Sequence, residues 1–363
     1  MRSICAWAGV LLVCLALTNC SGATSSLDPS RTRAAPMFTI PNRSMNIGTA
    51  VAGTTESPAL RDSNYTAWLG REFNSLTPEN QMKWRVIHPN PGKFDFAPMD
   101  EIANFARDHN QQVRGHTLLW HGGNPEWLGS KLDCQQAREI LREHIYQVVS
   151  RYRDIAYEWD VANEVMNSKG NLRTDENPFL RACGEEIIDA AFHWTKAVDP
   201  EADLYLNDYG LEMPGPKIDG TLELARRMKA RGAPVDGLGF QGHVILGQES
   251  RWTLRRNMDR AASLGLKVAI TEAEVRIRTD RPPSSEEQKA QAAAYARLIE
   301  GCLGTPRCET FSLWGFTDAH SWANDLEGQR AATILDEKYR PKPAYFALVQ
   351  ALSRWRSAAP STK

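Results

Sequence analysis

The sequence predicts an α/β protein built as a single (β/α)8 TIM barrel, and three observations carry that prediction. Short apolar runs alternate with longer stretches whose apolar residues recur three and four positions apart. Eight such runs are present, the number a barrel of this class requires, and each ends in polar residues of types that do chemistry. A chain of 363 residues suits one such domain, because these barrels occupy comparable lengths without dividing.

The strand candidates are, in order, Met45 to Val51, Phe73 to Leu76, Val113 to Trp120, Tyr157 to Ala162, Leu204 to Asn207, Gly237 to Phe240, Val268 to Thr271 and Thr310 to Gly315. Helical spacing fills the gaps over Met99 to Asn110, Cys134 to Tyr152, Glu185 to Val198, Ile218 to Arg231, Thr253 to Leu264 and Ser285 to Cys302. Strict alternation of the two implies parallel strands. After Pro341-Lys342-Pro343 the chain closes with one amphipathic helix and a polar tail over 356–363, so the barrel is expected to occupy 37–355.

Residues 1–23 read as a signal peptide: Arg2, an apolar run from Ile4 to Leu17, then the small residues Ser21, Gly22 and Ala23. A secreted chain without a membrane span is expected. An alternative is a lipoprotein anchored through Cys20, against which stands the bulk of Asn19 just before it. Residues 24–36, rich in Ser, Thr, Pro and Ala, read as a flexible leader. Asn42-Arg43-Ser44 and Asn64-Tyr65-Thr66 are glycosylation sequons, meaningful only in a host that glycosylates secreted chains.

Beyond that leader four cysteines remain. Cys302 and Cys308 flank a Gly-Thr-Pro turn and suit a short disulfide loop; Cys134 and Cys183 pair only where the fold brings them together. With Lys+Arg at 43 against Asp+Glu at 44, the chain lacks the basic footprint that nucleic-acid binding needs. A neutral polymer and a monomeric enzyme are expected.

Because the loops after barrel strands build the active site, the residues at strand ends are the first candidates for chemistry. The fourth run ends in Trp159-Asp160-Val161-Ala162-Asn163-Glu164 and the seventh in Ile270-Thr271-Glu272-Ala273-Glu274. Two carboxylates converging from separate strands match glycoside hydrolysis, in which one protonates the leaving oxygen while the other attacks the sugar carbon or activates water. One glutamate alone reads more readily as a helix start or a surface ion pair. Other strand ends supply Glu79, Asn80 and Lys83; His116, Trp120 and His121; Asn207, Asp208 and Tyr209; Gln241 and His243; Trp314, Asp318 and Trp322. Amides, carboxylates and indoles together suit a pyranose, with hydroxyls on its edge and C–H patches on its face. Trp159 reads at least equally well as packing.

These residues also form seven ordered motifs: FNSLTPENQMKW (Phe73 to Trp84), RGHTLLWH (Arg114 to His121), WDVANE (Trp159 to Glu164), LYLNDYG (Leu204 to Gly210), GFQGH (Gly239 to His243), ITEAEV (Ile270 to Val275) and LWGFTDAHSW (Leu313 to Trp322). In them the chain resembles glycoside hydrolase family 10, best known for endo-β-1,4-xylanases, over roughly Phe38 to Leu352. The resemblance implies retaining hydrolysis of xylan and xylo-oligosaccharides with no cofactor and no metal. Glu164 carries over as acid/base and Glu272 as nucleophile, a pair expected about 5 to 5.5 Å apart. It also implies sugar contacts from Glu79, Asn80, Lys83, His116, Trp120, Asn163, Tyr209, Gln241, His243, Trp314 and Trp322. In supporting roles it implies that His116 bonds Asp160, and that Glu274 orients His243 against Glu272.

Two departures stand out. The family usually reads Thr-Glu-Leu-Asp where this chain has Thr271-Glu272-Ala273-Glu274, so the second acid is one methylene longer. Gly122-Gly123-Asn124 stands where Ser-Gln is common, which removes an amide that Asn124 is the nearest residue to replace. Gly237-Leu238-Gly239-Phe240-Gln241-Gly242 matches a dinucleotide fingerprint in the wrong context, inside a late strand. The competing functions are a retaining endoglucanase on the same barrel and a non-catalytic carbohydrate-binding protein. The first turns on whether Trp314 and Trp322 exclude the hydroxymethyl group of glucose; the second predicts loss of Glu164 or Glu272, both present here.

Overall fold

The computed structural model describes residues 36–37, 45–53, 59–129 and 131–358. The expected signal peptide, nearly all of the leader, Cys20 and the Asn42 sequon lie outside them; Asn64 of the second sequon is exposed. The barrel strands are β1 (Asn46–Val51), β2 (Ser75–Pro78), β3 (Gln112–Leu119), β4 (Ala156–Asn163), β5 (Asp203–Asp208), β6 (Gly237–Phe240), β7 (Lys267–Arg278) and β8 (Cys308–Leu313). Each pairs in parallel with the next, and β8 returns to β1 with Asn46 opposite Thr310 and Thr49 opposite Leu313. Closure removes the free edges that an open sheet would expose.

Helices Ala97–Asp108, Cys134–Tyr152, Glu186–Val198, Pro216–Ala230, Leu254–Ser263 and Ser285–Leu303 match the expected set to within two residues at each end. Local chemistry fixes the sharpest starts. Asp133 accepts from the Gln136 backbone while the Gln136 side chain accepts from the Asp133 backbone, and Ser284 with Glu287 repeats this reciprocal cap. Helix Ser63–Glu72 adds to the expected set, capped by Asp62 and burying Tyr65 and Leu69 at helical spacing. The last helix, Pro343–Ala358, runs three residues into the stretch expected to be tail.

Strand β7 departs most from expectation. It continues past Thr271 to Arg278, because its second half leaves the barrel and pairs with the short strands His243–Ile245 and Gln329–Arg330. Glu272 and Glu274 therefore sit within a strand, at the point where barrel pairing gives way to these outer partners.

Trp159 is fully buried on the helix-covered side of β4, where its indole N–H donates to Asp199 at 2.9 Å, so it packs and does not face ligand, while its neighbours Glu158 and Asp160 point into the barrel. Arg114 is buried between Glu158 and Asp160 with its guanidinium over the Tyr205 ring. Such a charge is tolerable inside only when paired. The glycines of the apparent nucleotide fingerprint serve this interior. A Cβ on Gly237 would stand 2.2 Å from the Tyr205 ring, and one on Gly239 2.2 Å from Asn207 Oδ1. Close side-chain approach, with no phosphate involved, explains the pattern.

Both cysteine pairs are bonded: Cys302 to Cys308, with Cα atoms 5.3 Å apart, and Cys134 to Cys183 at 4.8 Å. The second bridge ties the start of the Cys134–Tyr152 helix to the short helix Pro178–Cys183, a proximity no local pattern announces.

Candidate active site

Glu164 follows directly on β4 and has φ +53°, the left-handed region that costs a residue with a Cβ roughly 1 to 2 kcal/mol. A backbone bond from Glu164 N to Asn207 O, 2.8 Å, holds it there. The β4–β5 register shifts between Asp160 and Ala162, and the β7–β8 register shifts between Ile270 and Ala273. Irregularities of this kind re-aim side chains, and these two precede or enclose the glutamates.

The two carboxylates line one cavity of about 390 Å³ with Glu79, Asn80, Lys83, Arg85, His116, Trp120, Asn163, His243, Trp314, Trp322 and Asp325. A chain of amides joins them. Glu164 Oε1 accepts from Gln241 Nε2 at 3.1 Å, and the same nitrogen donates to Asn163 Oδ1 at 3.2 Å. Asn207 Nδ2 donates both to Asn163 Oδ1 at 2.9 Å and to Glu272 Oε1 at 2.7 Å. Thr271 donates to Asn207 Oδ1 at 2.7 Å, fixing which way that amide faces. With its oxygen taken twice, Asn163 turns its nitrogen toward Glu164 Oε1, 3.5 Å away, and keeps its second N–H for the cavity.

The carboxylates differ in setting. The Glu272 side chain is 4% exposed and that of Glu164 17%. His243 meets Glu272 Oε2 through Nε2 at 3.0 Å and Glu274 Oε1 through Nδ1 at 2.8 Å. Both partners are acceptors, so the ring donates from both nitrogens as an imidazolium. Burial opposes that charge, but the attraction of Glu274 and the bonds to both carboxylates outweigh it and push His243 up to about 10. Burial likewise raises Glu272, yet the bond from His243, with help from His116, leaves it below the ordinary carboxylate value.

On the opposite wall, Asn80 donates to Glu79 at 3.2 Å and accepts from Lys83 at 3.1 Å. Burial pushes Glu79 up to about 7 against the pull of Lys83, and burial lowers Lys83 in turn. Lys83 also lies over the Trp120 ring. Trp314 stands edge-on between His116 and His243, anchored by its backbone N–H on Ala273 O, 3.0 Å. His116 bonds Asp160 at 2.9 Å, as expected.

Most of the predicted residues thus meet in one place. Gln241 is buried beneath the cavity as a link between the carboxylates, not part of its lining. Tyr209 lies outside the lining, its hydroxyl bonded to Arg173 and its ring face covered by Lys217 at 3.2 Å. Asn124 lies outside the lining, and its Nδ2 turns back onto Trp120 O and His121 O. The sequence reading missed Arg85 and Asp325 in the lining, and Arg173 and Glu176 beside His121 and Tyr209. Arg85 stands one residue past a quoted motif, and the others sit in loops without a period to mark them.

Comparison with known proteins follows the same lines. The family model "Glycosyl hydrolase family 10" matches residues 39–351. Endo-1,4-beta-xylanase B of Thermotoga neapolitana is 36% identical over 307 residues, covering 84% of this chain and 88% of that protein. Beta-1,4-xylanase of Dictyoglomus thermophilum is 38% identical over 300 residues, 79% of this chain and 84% of that one. Among solved structures, xylanase 10B from Thermotoga petrophila RKU-1 in complex with xylobiose superposes with a TM-score of 0.80 at 37% identity, covering 86% of this chain and 95% of that one. Native xylanase 10B from Thermotoga maritima gives 0.81 at 36% identity, covering 87% and 97%. Motifs, barrel and matches agree, and this chain belongs to glycosyl hydrolase family 10.

Proposed function

We propose that the protein is a retaining endo-1,4-β-xylanase in which Glu272 is the nucleophile and Glu164 the acid/base. The observation that carries the assignment is the asymmetry of the pair: Glu272 is buried and held anionic by His243, while Glu164 is the more accessible. A nucleophile must be a carboxylate aimed by fixed donors, whereas an acid/base must exchange protons with a leaving group and with water.

In the first step Glu272 attacks the anomeric carbon, the bond to the leaving oxygen breaks, and the proton of Glu164 passes to that oxygen. A glycosyl ester on Glu272 results. Glu164, now a carboxylate, takes a proton from water as that water attacks the same carbon and releases Glu272, so configuration is inverted twice and retained overall. Asn163, its oxygen engaged twice, offers its amide nitrogen to a sugar hydroxyl, a contact that gains as the transition state forms. The xylanase names of the relatives and the xylobiose in one of their structures support xylan as substrate.

Two disulfides suit a chain that folds in an oxidising compartment, which supports export. Among the described residues no helix is long and apolar enough to cross a membrane. The deciding experiment is hydrolysis of xylan and of carboxymethyl cellulose by wild type and Glu272→Ala, with the anomeric configuration of the first product followed by NMR. Retained xylo-oligosaccharides, abolished by the substitution, support the reading; inverted products or preference for cellulose would defeat it.

A further inference from the structure

We infer that Arg85 gives this cleft a binding site for a carboxylate carried on the polymer, that is, for a xylan backbone bearing uronosyl substituents. The inference rests on the xylanase reading and names a substrate class within it.

Arg85 lies in the short helix Trp84–Ile87, exposed, and lines the same cavity as the two glutamates. Its backbone N–H donates to Gly123 O at 2.8 Å, which seats it beside the Gly122-Gly123 segment. No side chain projects there. A Cβ on Gly122 would meet the Trp120 ring at 2.7 Å, and one on Gly123 would meet that ring at 3.2 Å and Lys83 Cβ at 3.3 Å. The neighbouring amide of Asn124 is turned away onto backbone carbonyls. The Trp120 ring and the Lys83 stem already take the space that side chains on these glycines would need, so the segment beside Arg85 offers backbone alone and no group of its own to pair with the guanidinium.

The other cations of this region have partners. Lys83 is bonded to Asn80 and lies over Trp120; Arg276 meets Glu274 and Trp322; Arg173 meets Glu176; Lys217 meets Asp208. Among the described residues Arg85 enters no ion pair and no contact with an aromatic face. Its charge works against that of Lys83. A neutral sugar chain gains little from a free guanidinium, whereas a carboxylate fits its planar fork with two parallel hydrogen bonds and relieves the repulsion between the two cations.

The test compares one uronosyl-substituted xylo-oligosaccharide with the same molecule after reduction of its carboxyl to an alcohol, which keeps the shape and removes the charge. Wild type, Arg85→Gln and Arg85→Lys are assayed for kcat/KM on both, at low and high salt. The expected result is a preference of wild type for the acid form of roughly two- to fivefold, the range of a solvent-accessible ion pair, shrinking at high salt. Arg85→Gln abolishes the preference and Arg85→Lys keeps part of it. Equal rates of wild type on the two forms, or a preference that survives in Arg85→Gln, overturn the inference. An undecorated xylo-oligosaccharide separates the two levels: cleavage of it with no preference between acid and alcohol defeats this inference alone, while failure to cleave any of the three defeats the xylanase reading beneath it.

Discussion

The indole N–H of Trp322 donates to Oε2 of Glu274 at 2.8 Å, on the carboxylate whose other oxygen receives His243. One buried side chain thus holds both the group that aims Glu272 and a wall of the cavity. A side chain one methylene shorter at this position is expected to keep only one of the two bonds. Glu274→Asp is expected to keep the charge beside His243 and release Trp322. A lost bond to a charged group is worth about 1.5 kcal/mol, so KM for xylotriose should rise about tenfold with kcat little changed. Glu274→Gln, which removes the charge, should lower kcat instead. If Glu274→Asp lowers kcat and leaves KM alone, the tether to Trp322 has no part in substrate binding.

As the proposed nucleophile Glu272 must act as an anion, and its lowered pKa keeps it ionised to lower pH than an ordinary carboxylate. His243→Ala keeps the burial and removes the donor, so the pKa of Glu272 rises. The acid limb of kcat/KM on an aryl xylobioside should then move to higher pH, with the largest relative loss at low pH. A limb that stays in place in the variant would show that His243 does not set the ionisation of the nucleophile.

Gly239 is where the barrel interior meets the chemistry. Gly239→Ala places a methyl group 2.2 Å from Asn207 Oδ1 and 3.0 Å from Thr271 Cγ2, so Asn207 must move off Glu272. Loss of that bond should cost about ten- to a hundredfold in kcat, with about 1 to 3 kcal/mol of overpacking on stability. Asn207→Ala is the comparator, since it removes the bond without the crowding. A Gly239→Ala enzyme with full kcat would break the proposed link.

The Cys134–Cys183 bridge closes 49 residues and the Cys302–Cys308 bridge 6. Loop-closure entropy assigns about 4 kcal/mol to the first and about 2 kcal/mol to the second. Cys134→Ser with Cys183→Ser should therefore lower Tm more than the other pair does, by roughly 5 to 10 °C in calorimetry. The reverse order would mean that strain, not loop length, governs them.

Periodicity in the sequence was enough to place all eight barrel strands, and Cys134–Tyr152 was found to the residue because apolar residues three and four apart are a local signal, which the structure's Asp133 cap reinforces. Helix Ser63–Glu72 carries the same marks in Asp62, Tyr65 and Leu69, and was legible though unassigned. The end of β7 was not. Its outer half is stabilised by pairing with His243–Ile245 and Gln329–Arg330, segments about 30 and 50 residues distant from it in the chain.

For the site, the sequence by itself determined which residue types stand at the strand ends, and so the glutamate pair, the candidate amides and indoles around it, and the family. Only the tertiary structure decided who touches whom. It joined Asn207 to Glu272 across 65 residues and Trp322 to Glu274 across 48, withdrew Tyr209 from the cavity, and brought in Arg85 and Asp325. The physical reason is one of range. Apolar spacing and caps report on burial and hydrogen bonding within a few turns of chain, whereas a hydrogen-bond partner in a closed barrel is chosen by the register of strands far apart in sequence.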